Sequence, residues 1–196
     1  MGIYIFRPED LLRYGTIREE QLKVLEEAVK GRSDILIVGG TRAGKTKLVE
    51  ALTFLIPDDW RIAVITAYGE FKPFKENIEV IDTRFDGRRL EERTQDVVEK
   101  LREIEPDYVI VDTLHTVSVP EILRALIDNY AFIITSLVIA RNLVEEVKHW
   151  LRMDDELLAR FELIVELYRD VRTGLRKVNA IYRIKNEKGI KLEKIA

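Results

Sequence analysis

A glycine-rich segment, Gly39–Thr46, constrains the fold of this chain more than any other feature. It reads GGTRAGKT and matches the phosphate-binding loop pattern G-x-x-x-x-G-K-[ST]. The apolar run Ile35–Val38 precedes it, and apolar residues at helical spacing from Leu48 to Leu55 follow it. The pattern therefore predicts a buried strand, a tight loop and a helix, which together open an α/β fold.

The residue types in this loop predict binding of a nucleoside triphosphate with Mg²⁺. Glycine lets the backbone turn tightly, so that successive N–H groups from about Arg42 to Thr46 point at phosphate oxygens from a helix N-terminus. Lys45 would neutralise the β- and γ-phosphates, and the Thr46 hydroxyl would ligate Mg²⁺. The predicted phosphate-binding residues are Gly39, Gly40, Thr41, Arg42, Ala43, Gly44, Lys45 and Thr46. The alternative is a glycine-rich turn that binds no ligand.

Composition excludes several other classes of protein. The chain has 196 residues, no cysteine and two histidines, His115 and His149, which argues against disulfides, thiolate metal sites and zinc. A net charge of −3 gives no global basic field that would attract nucleic acid. No apolar run approaches the roughly 18 residues of a membrane span, and the N-terminus lacks a leader pattern. We therefore expect one cytoplasmic domain over residues 1–196.

Apolar patterning along the rest of the chain alternates between strands and helices. Thr16–Glu19 has the form of a capping box and predicts a helix that runs to Lys30. The further predicted elements are strands at Arg61–Thr66, Ile78–Ile81, Tyr108–Asp112 and Phe132–Thr135, and helices at about Leu90–Ile104 and Pro120–Asn129. Phe161–Leu167 and Val178–Ile184 predict an antiparallel pair of strands. This alternation implies a mainly parallel sheet with helical cover.

A carboxylate at the end of a predicted strand is the second chemical feature. Asp112 directly follows the apolar run Tyr108–Val111. In a parallel sheet that position lies at the same edge as the phosphate loop, where a carboxylate can hold the water shell of Mg²⁺. The alternative is a turn or helix cap, a common role for Asp. We interpret Asp112 as a magnesium ligand together with Thr46.

The order of these segments resembles the motor domain of the type II/type IV secretion and pilus traffic ATPases. The resemblance rests on five stretches: Tyr14–Gln21 with the helix to Gly31, Ile35–Thr46, Pro106–Val111, Leu123–Leu126 and Phe161–Leu167. It extends over residues 11–184, and we expect the chain to lack the N-terminal domain that family members usually carry. It implies a RecA-like P-loop NTPase with a mainly parallel sheet, flanking helices and a C-terminal antiparallel strand pair.

The same resemblance implies an ATPase that uses ATP and Mg²⁺ and forms a hexameric ring with nucleotide between subunits. Hydrolysis would move or assemble a macromolecular partner, a protein or DNA, in a secretion, pilus or conjugation-like machine. Contact with the inner face of a membrane would come through partners. In this interpretation Lys45 and Asp112 are catalytic, Glu70 is the general base or orients water, and Arg84, with Arg88 and Arg89, stabilises charge at its own or a neighbouring nucleotide site.

Three departures from the family pattern keep other functions open. Glu70 is the one acid in a stretch where the family has an acidic box, Thr113 stands where a glutamate usually follows Asp112, and apolar Leu137–Val138 replaces an expected histidine. A nucleotide-binding regulatory or structural subunit with little hydrolysis is therefore the main alternative.

A P-loop small-molecule kinase is a further alternative, which would use an arginine-rich lid late in the chain. The candidate lid residues are Arg169, Arg172 and Arg176. His115 is a candidate sensor of the γ-phosphate or else a surface residue, and Arg141 is a weaker candidate arginine. Nothing in the sequence distinguishes ATP from GTP, because no base-specific motif is present.

Overall fold

The structure, a computed structural model, describes residues 4–67, 71–112, 115–139, 142–187 and 189–196. The strands in these ranges are β1 (Ile35–Gly39), β2 (Ile62–Thr66), β3 (Ile78–Asp82), β4 (Tyr108–Asp112), β5 (Ala131–Leu137), β6 (Leu163–Arg169), β7 (Arg176–Asn186) and β8 (Ile190–Lys194). The helices are α1 (Pro8–Arg13), α2 (Glu19–Lys30), α3 (Lys45–Thr53), α4 (Leu90–Ile104), α5 (Val119–Leu126), α6 (Leu143–Leu151) and α7 (Asp155–Leu158).

The strands form one sheet in the order β3-β2-β4-β5-β1-β6-β7-β8. Every pairing from β3 to β6 is parallel, whereas β7 pairs antiparallel with both β6 and β8. The predicted RecA-like α/β class is therefore confirmed, with a C-terminal trio of strands in place of the predicted pair. β8 was missed because Ile190–Lys194 is a short, charged edge strand with a half-exposed apolar face.

The central strands are buried on both faces, which explains their continuous apolar sequences. In β1, Ile35 and Ile37 pack on one side of the sheet, against the cluster that contains buried residues of α2 and α3. Leu36 and Val38 pack on the other side, with buried residues of α4, α5 and α6. Because both faces are covered, the ends of the strands are the places where polar side chains can collect.

The predicted helices agree with the structure in the middle of the chain and differ near its N-terminus, and α1, α6 and α7 were not predicted. α4 has the predicted bounds, whereas α5 ends at Leu126, before the predicted Asn129. The capping box predicted at Thr16–Glu19 is wrong, because Arg18 is the N-cap of α2 and its N–H donates to Gln21 Oε1 at 3.1 Å. The Thr16 carbonyl instead accepts a hydrogen bond from the N–H of Val178 at 2.7 Å, which joins this segment to β7.

The helices that cover the sheet are short and amphipathic. α4, the longest of those described, has 15 residues and buries Val97, Val98 and Leu101 while its other face is charged. In the parts of the chain that the structure describes, no helix is both long enough and apolar enough to cross a bilayer.

The sheet order brings three strand ends to one place. β5 lies between β1 and β4, with Gly39 in register with Leu137 and Val111 in register with Ile134. Because all three strands are parallel, their C-terminal ends share one edge of the sheet. The loop after β1 and the carboxylate at the end of β4 are therefore neighbours.

Candidate functional site

The loop between β1 and α3 has a backbone that requires its glycines. Arg42 and Gly44 both have left-handed φ values, 61° and 100°. A Cβ at Gly44 would also lie 3.0 Å from Cδ of Arg176, and a Cβ at Gly39 would lie 2.7 Å from the carbonyl oxygen of Leu167. Side chains at these two glycines would therefore strain the turn or force β6 away from β1.

The Lys45 side chain lies inside this loop. Its Nζ donates to the carbonyl oxygens of Gly39 and Gly40 at 3.0 and 3.1 Å. Burial lowers the pKa of Lys45, and the charge of Asp112 acts in the opposite direction. The ammonium is thus placed where an incoming anion would replace its two carbonyl partners.

Asp112 occupies the C-terminal end of β4 and is held by β5. Its Oδ1 accepts a hydrogen bond from Thr135 Oγ1 at 2.8 Å. Its Oδ2 is buried and has no hydrogen-bond partner among the described residues. A buried carboxylate oxygen without a partner is costly, and a hard cation or its bound water would satisfy it.

Thr46 and Asp112 suit a magnesium ion that is also bound by phosphate and water better than a metal ion bound by protein ligands alone. Thr46 and Asp112 line the same cavity, and magnesium typically takes only one or two protein oxygens besides phosphates and water. Over the described ranges, no group of three or more His, Asp or Glu side chains could hold a metal. Thr46 and Asp112 are thus the residues that would hold Mg²⁺ beside a triphosphate.

One cavity of about 710 Å³ joins the loop to the end of β4. Among its lining residues are the loop residues from Thr41 to Thr46, together with Lys47, Asp112 and Thr135. The sequence prediction grouped Lys45, Thr46 and Asp112, and the structure brings them together. Thr135 was missed as a site residue, although a polar residue late in an apolar strand was a usable signal.

Two further lining residues come from segments far apart in the chain. Sequence reasoning did not single out Phe6, and it named Arg176 only as a candidate lid residue of a kinase. Phe6 precedes α1 and lines the cavity, as does Arg176, the first residue of β7. The Nε of Arg176 donates to the carbonyl oxygen of Arg42 at 3.0 Å. Arg172, by contrast, lies in the turn between β6 and β7, where its N–H donates to Asp170.

Other predicted site residues are not brought to this cavity. Glu70, Thr113 and Arg141 lie outside the described residues. Arg84 follows the edge strand β3, forms an ion pair with Asp82 at 2.9 Å and does not line the cavity. Three strands separate β3 from β1 in the sheet, so Arg84 lies away from the phosphate loop of its own chain.

His115 also lies away from the phosphate loop. Its backbone has a left-handed φ of 65°, and its ring centroid is 6.0 Å from that of Trp150. The two rings line a small cavity of about 80 Å³ with Ser118 and Arg152. The sensor role of His115 stays a prediction.

The fold and the site together define a RecA-like α/β domain, and solved structures share this fold. One is the VirB11 ATPase from the Brucella suis type IV secretion system in complex with sulphate, with a TM-score of 0.63, 18% identity and coverage of 89% of this chain and 54% of that chain. Another is the pilus retraction motor PilT with bound ADP, with a TM-score of 0.58, 16% identity and coverage of 99% and 53%. The resemblance to traffic ATPases is thereby confirmed at the level of the fold.

The chain belongs to the family described as "Uncharacterised conserved protein UCP018868", whose model matches residues 1–195. A curated relative is the uncharacterized protein MJ1287 of Methanocaldococcus jannaschii, which is 33% identical over 106 residues. The match covers 53% of this chain and 39% of that relative. The chain thus spans well under two thirds of the relative and of both solved structures.

Proposed function

We propose that this chain is a Mg²⁺-dependent ATPase of the traffic type, in which ATP binding and hydrolysis drive movement or assembly of a macromolecular partner. The observation that carries the proposal is the meeting of Lys45, Thr46 and Asp112 in one cavity, with Asp112 Oδ2 buried and unpaired among the described residues. A phosphate-binding loop alone would be weaker support, because glycine-rich turns also occur without ligands.

Different residues of the cavity would bind the phosphates and the metal. Lys45 would exchange its carbonyl partners for phosphate oxygens, and the N–H groups at the start of α3 would face the same anion. Thr46 and Asp112 would hold Mg²⁺, which when bound would offset the negative charge of the β- and γ-phosphates. Thr135 orients Asp112 through Oδ1 and leaves Oδ2 available.

The motor part of the proposal is supported by the fold that the chain shares with a secretion ATPase and a pilus retraction motor. We propose a ring of identical subunits, of which a hexamer is the form implied by the family resemblance. In such a ring Arg84, whose side chain is 67% exposed, would stabilise charge at a neighbouring site. Glu70 would act as the general base or orient the attacking water.

A nucleotide-binding subunit with little turnover is the second candidate, and one observation favours it. Of the described residues that line the cavity, Asp112 is the only carboxylate, and none is a histidine. Loss of a group that orients water costs orders of magnitude in hydrolysis, whereas the loop can bind nucleotide without it. The two candidates therefore differ in turnover and agree in binding.

The test is steady-state phosphate release from ATP with Mg²⁺, with ATP binding measured on the same samples. We expect Lys45→Ala to lose both, because the charge that faces the phosphates is removed. Lys23→Ala, which removes a lysine from the exposed face of α2, is the matched control and should change neither. Binding without turnover in the wild type would favour the second candidate, and unchanged ATP affinity in Lys45→Ala would refute nucleotide binding by the loop.

A further inference from the structure

A second groove, with a volume of about 310 Å³, lies beside the phosphate cavity. We call it the arm groove, because one wall is the N-terminal segment that carries Phe6 and Tyr14 and the other is the turn at Gly174–Leu175. It shares Phe6, Gly44, Lys47 and Arg176 with the phosphate cavity. The two spaces therefore lie next to each other.

The aromatic wall of the arm groove is fixed to the helix that follows the loop. The N–H of Phe6 donates to Oε2 of Glu50 at 3.5 Å, and Lys47 Nζ donates to both carboxylate oxygens of Glu50 at 2.8 Å. Glu50 is only 3% exposed, and Lys47 Nζ lies 5.5 Å from the centroid of the Phe6 ring. The ring of Tyr14 lies 6.0 Å from that of Phe6, so two neighbouring aromatic rings form this wall beside Lys47.

The opposite wall is held against the loop itself. Arg176 contacts the loop through the carbonyl of Arg42, which fixes the neighbouring Leu175 at the mouth of the groove. Leu175 is 50% exposed and Tyr14 is 52% exposed. Two large apolar surfaces therefore face solvent across a space next to the phosphate cavity, and a flat ring between them would bury both.

Resting on the proposed function, we propose that the arm groove holds the purine base of the bound nucleotide, stacked on the aromatic wall and covered by Leu175. Asp112 and Thr135, which mark the magnesium end of the phosphate cavity, do not line the arm groove. The groove instead begins at Gly44 and Lys47, where the loop passes into α3. In the proposed complex the γ-phosphate lies with the metal at the Asp112 end of the phosphate cavity. The nucleoside therefore extends from the opposite end, past Gly44 and Lys47, into the arm groove.

A competing groove of about 630 Å³ lies on the other side of the loop, next to Tyr168, Val171 and Ile139. Its wall includes the Glu166 carboxylate, which accepts hydrogen bonds from Asn179 at 2.7 Å and from the Tyr182 hydroxyl at 3.3 Å. Arg169 also lines the competing groove, so that groove carries one charge of each sign. The arm groove carries Arg176 beside Lys47, whose charge is paired with Glu50, so its balance is positive. Because the base enters with an anionic phosphate attached, charge favours the arm groove.

The groove recognises the face of the base rather than its edge. The N–H of Gly174 donates to Asp170 at 2.8 Å, the N–H of Leu175 donates to Thr173, and the carbonyl of Leu175 accepts from Asp170. These three backbone groups of the wall are therefore already paired, and the two cations of the groove are bonded to Glu50 and to the Arg42 carbonyl. No Asn, Gln, Asp or Glu lines the groove among the described residues. Stacking tolerates either purine, so ATP and GTP should bind with affinities within about threefold of each other.

The test compares ATP, GTP and inorganic tripolyphosphate by titration calorimetry with Mg²⁺. Tyr14→Ala and Leu175→Ala should each weaken ATP and GTP by about tenfold and leave tripolyphosphate unchanged, because only the base loses a contact. Tyr168→Ala is the matched control, since Tyr168 is 55% exposed and lines the competing groove. It should change none of the three. Two variants from opposite walls, with thermal melts of each, guard against a local folding defect.

Each failure has a distinct signature. Loss of ATP affinity in Tyr168→Ala but not in Tyr14→Ala would assign the base to the competing groove and overturn the proposal. Equal weakening of ATP and tripolyphosphate in both arm-groove variants would also overturn it. A more than tenfold preference of the wild type for one purine would refute recognition by the ring face alone. A wild type that binds neither ATP nor tripolyphosphate would refute the proposed function itself.

Discussion

The loop edge and the opposite edge of the central sheet, at the C-terminal and N-terminal ends of its parallel strands, each carry a partly buried aspartate, and the two aspartates differ in what surrounds them. At the loop edge, Asp112 shares a cavity with Lys45 and accepts a hydrogen bond from Thr135. At the opposite edge, Asp34 accepts a hydrogen bond from the N–H of Phe132 at 2.7 Å and faces a second carboxylate, Glu162.

The comparison teaches that a buried carboxylate alone does not indicate a site. Burial, with the nearby Glu162 charge, raises the pKa of Asp34 to about 7, although the Phe132 N–H acts against this shift. Ser33 donates to Glu162, and the Tyr108 hydroxyl donates to the Ser33 carbonyl at 2.9 Å, so this edge is a packed polar network. The loop edge is distinguished by an ammonium group and an open cavity beside the carboxylate.

The largest expected effect is at the loop edge. Asp112→Asn should remove most of the Mg²⁺ dependence of ATP affinity, about a hundredfold, and should change metal-free ATP binding little, because the amide is a poor magnesium ligand. Calorimetry with Mg²⁺ and with EDTA measures both quantities. If the Mg²⁺ dependence is unaltered, Asp112 is structural like Asp34 and the contrast between the two edges disappears.

The next effect is on stability at the opposite edge. A carboxyl pKa raised in the folded state gives stability that is fully present below about pH 4 and is lost as the pH rises through about 7. Asp34→Asn keeps the oxygen that accepts from Phe132 and cannot ionise. It should therefore raise the free energy of unfolding at pH 8 by about 2 kcal/mol, half of the full linkage value, since Asp34 is partly exposed to solvent.

Urea unfolding at pH 5 and at pH 8 measures this difference. The gain from Asp34→Asn should be larger at pH 8, while ATP binding stays unchanged. The exposed carboxylates whose pKa is lowered, among them Asp86 and Asp170, are common to both proteins and cancel in the comparison. A gain that is the same at both pH values would contradict the raised pKa of Asp34.

A smaller effect should follow from removing the partner of Asp112. Thr135→Val keeps the branched shape and loses the hydrogen bond to Oδ1, worth about 1 kcal/mol, so Mg²⁺-dependent ATP affinity should fall about fivefold. Ser136→Ala on the same strand is the control, because its hydroxyl contacts only the carbonyl of Leu137 among the described hydrogen bonds. Equal effects of the two variants would argue against a positioning role for Thr135.

The smallest effect on ATP binding is expected at Arg84, which belongs to neither the Asp112 site nor the Asp34 site. Arg84→Ala should leave ATP affinity unchanged and lower turnover only when subunits assemble, since its charge is remote from its own loop. The measurement is ATP turnover as a function of protein concentration, beside sedimentation of the same samples. Weakened ATP affinity at dilute, monomeric protein would contradict this placement.

Local sequence predicted much of the fold because the central strands and α4 carry strong, uninterrupted patterns. It failed at Thr16, because the Thr16 carbonyl accepts a hydrogen bond from the N–H of Val178 in β7. It also failed at β8, because the short, charged sequence of this strand resembles that of a loop. At the site, the loop and Asp112 were predictable from chain order. Thr135 and Phe6 were not predicted at the site, and Arg176 was predicted only as a lid residue of a kinase, because their contacts join segments far apart in the chain.

The sequence by itself determined that a glycine-rich loop follows a buried strand and that a carboxylate ends another, since both depend on neighbouring residues. Only the tertiary structure decided which side chains surround them. The insertion of β5 between β1 and β4 brings Thr135 to Asp112, and the packing of both chain ends against α3 and the loop brings Phe6 and Arg176 to the phosphate cavity. Strand order and long-range packing are set by the burial of both sheet faces, which no local pattern encodes.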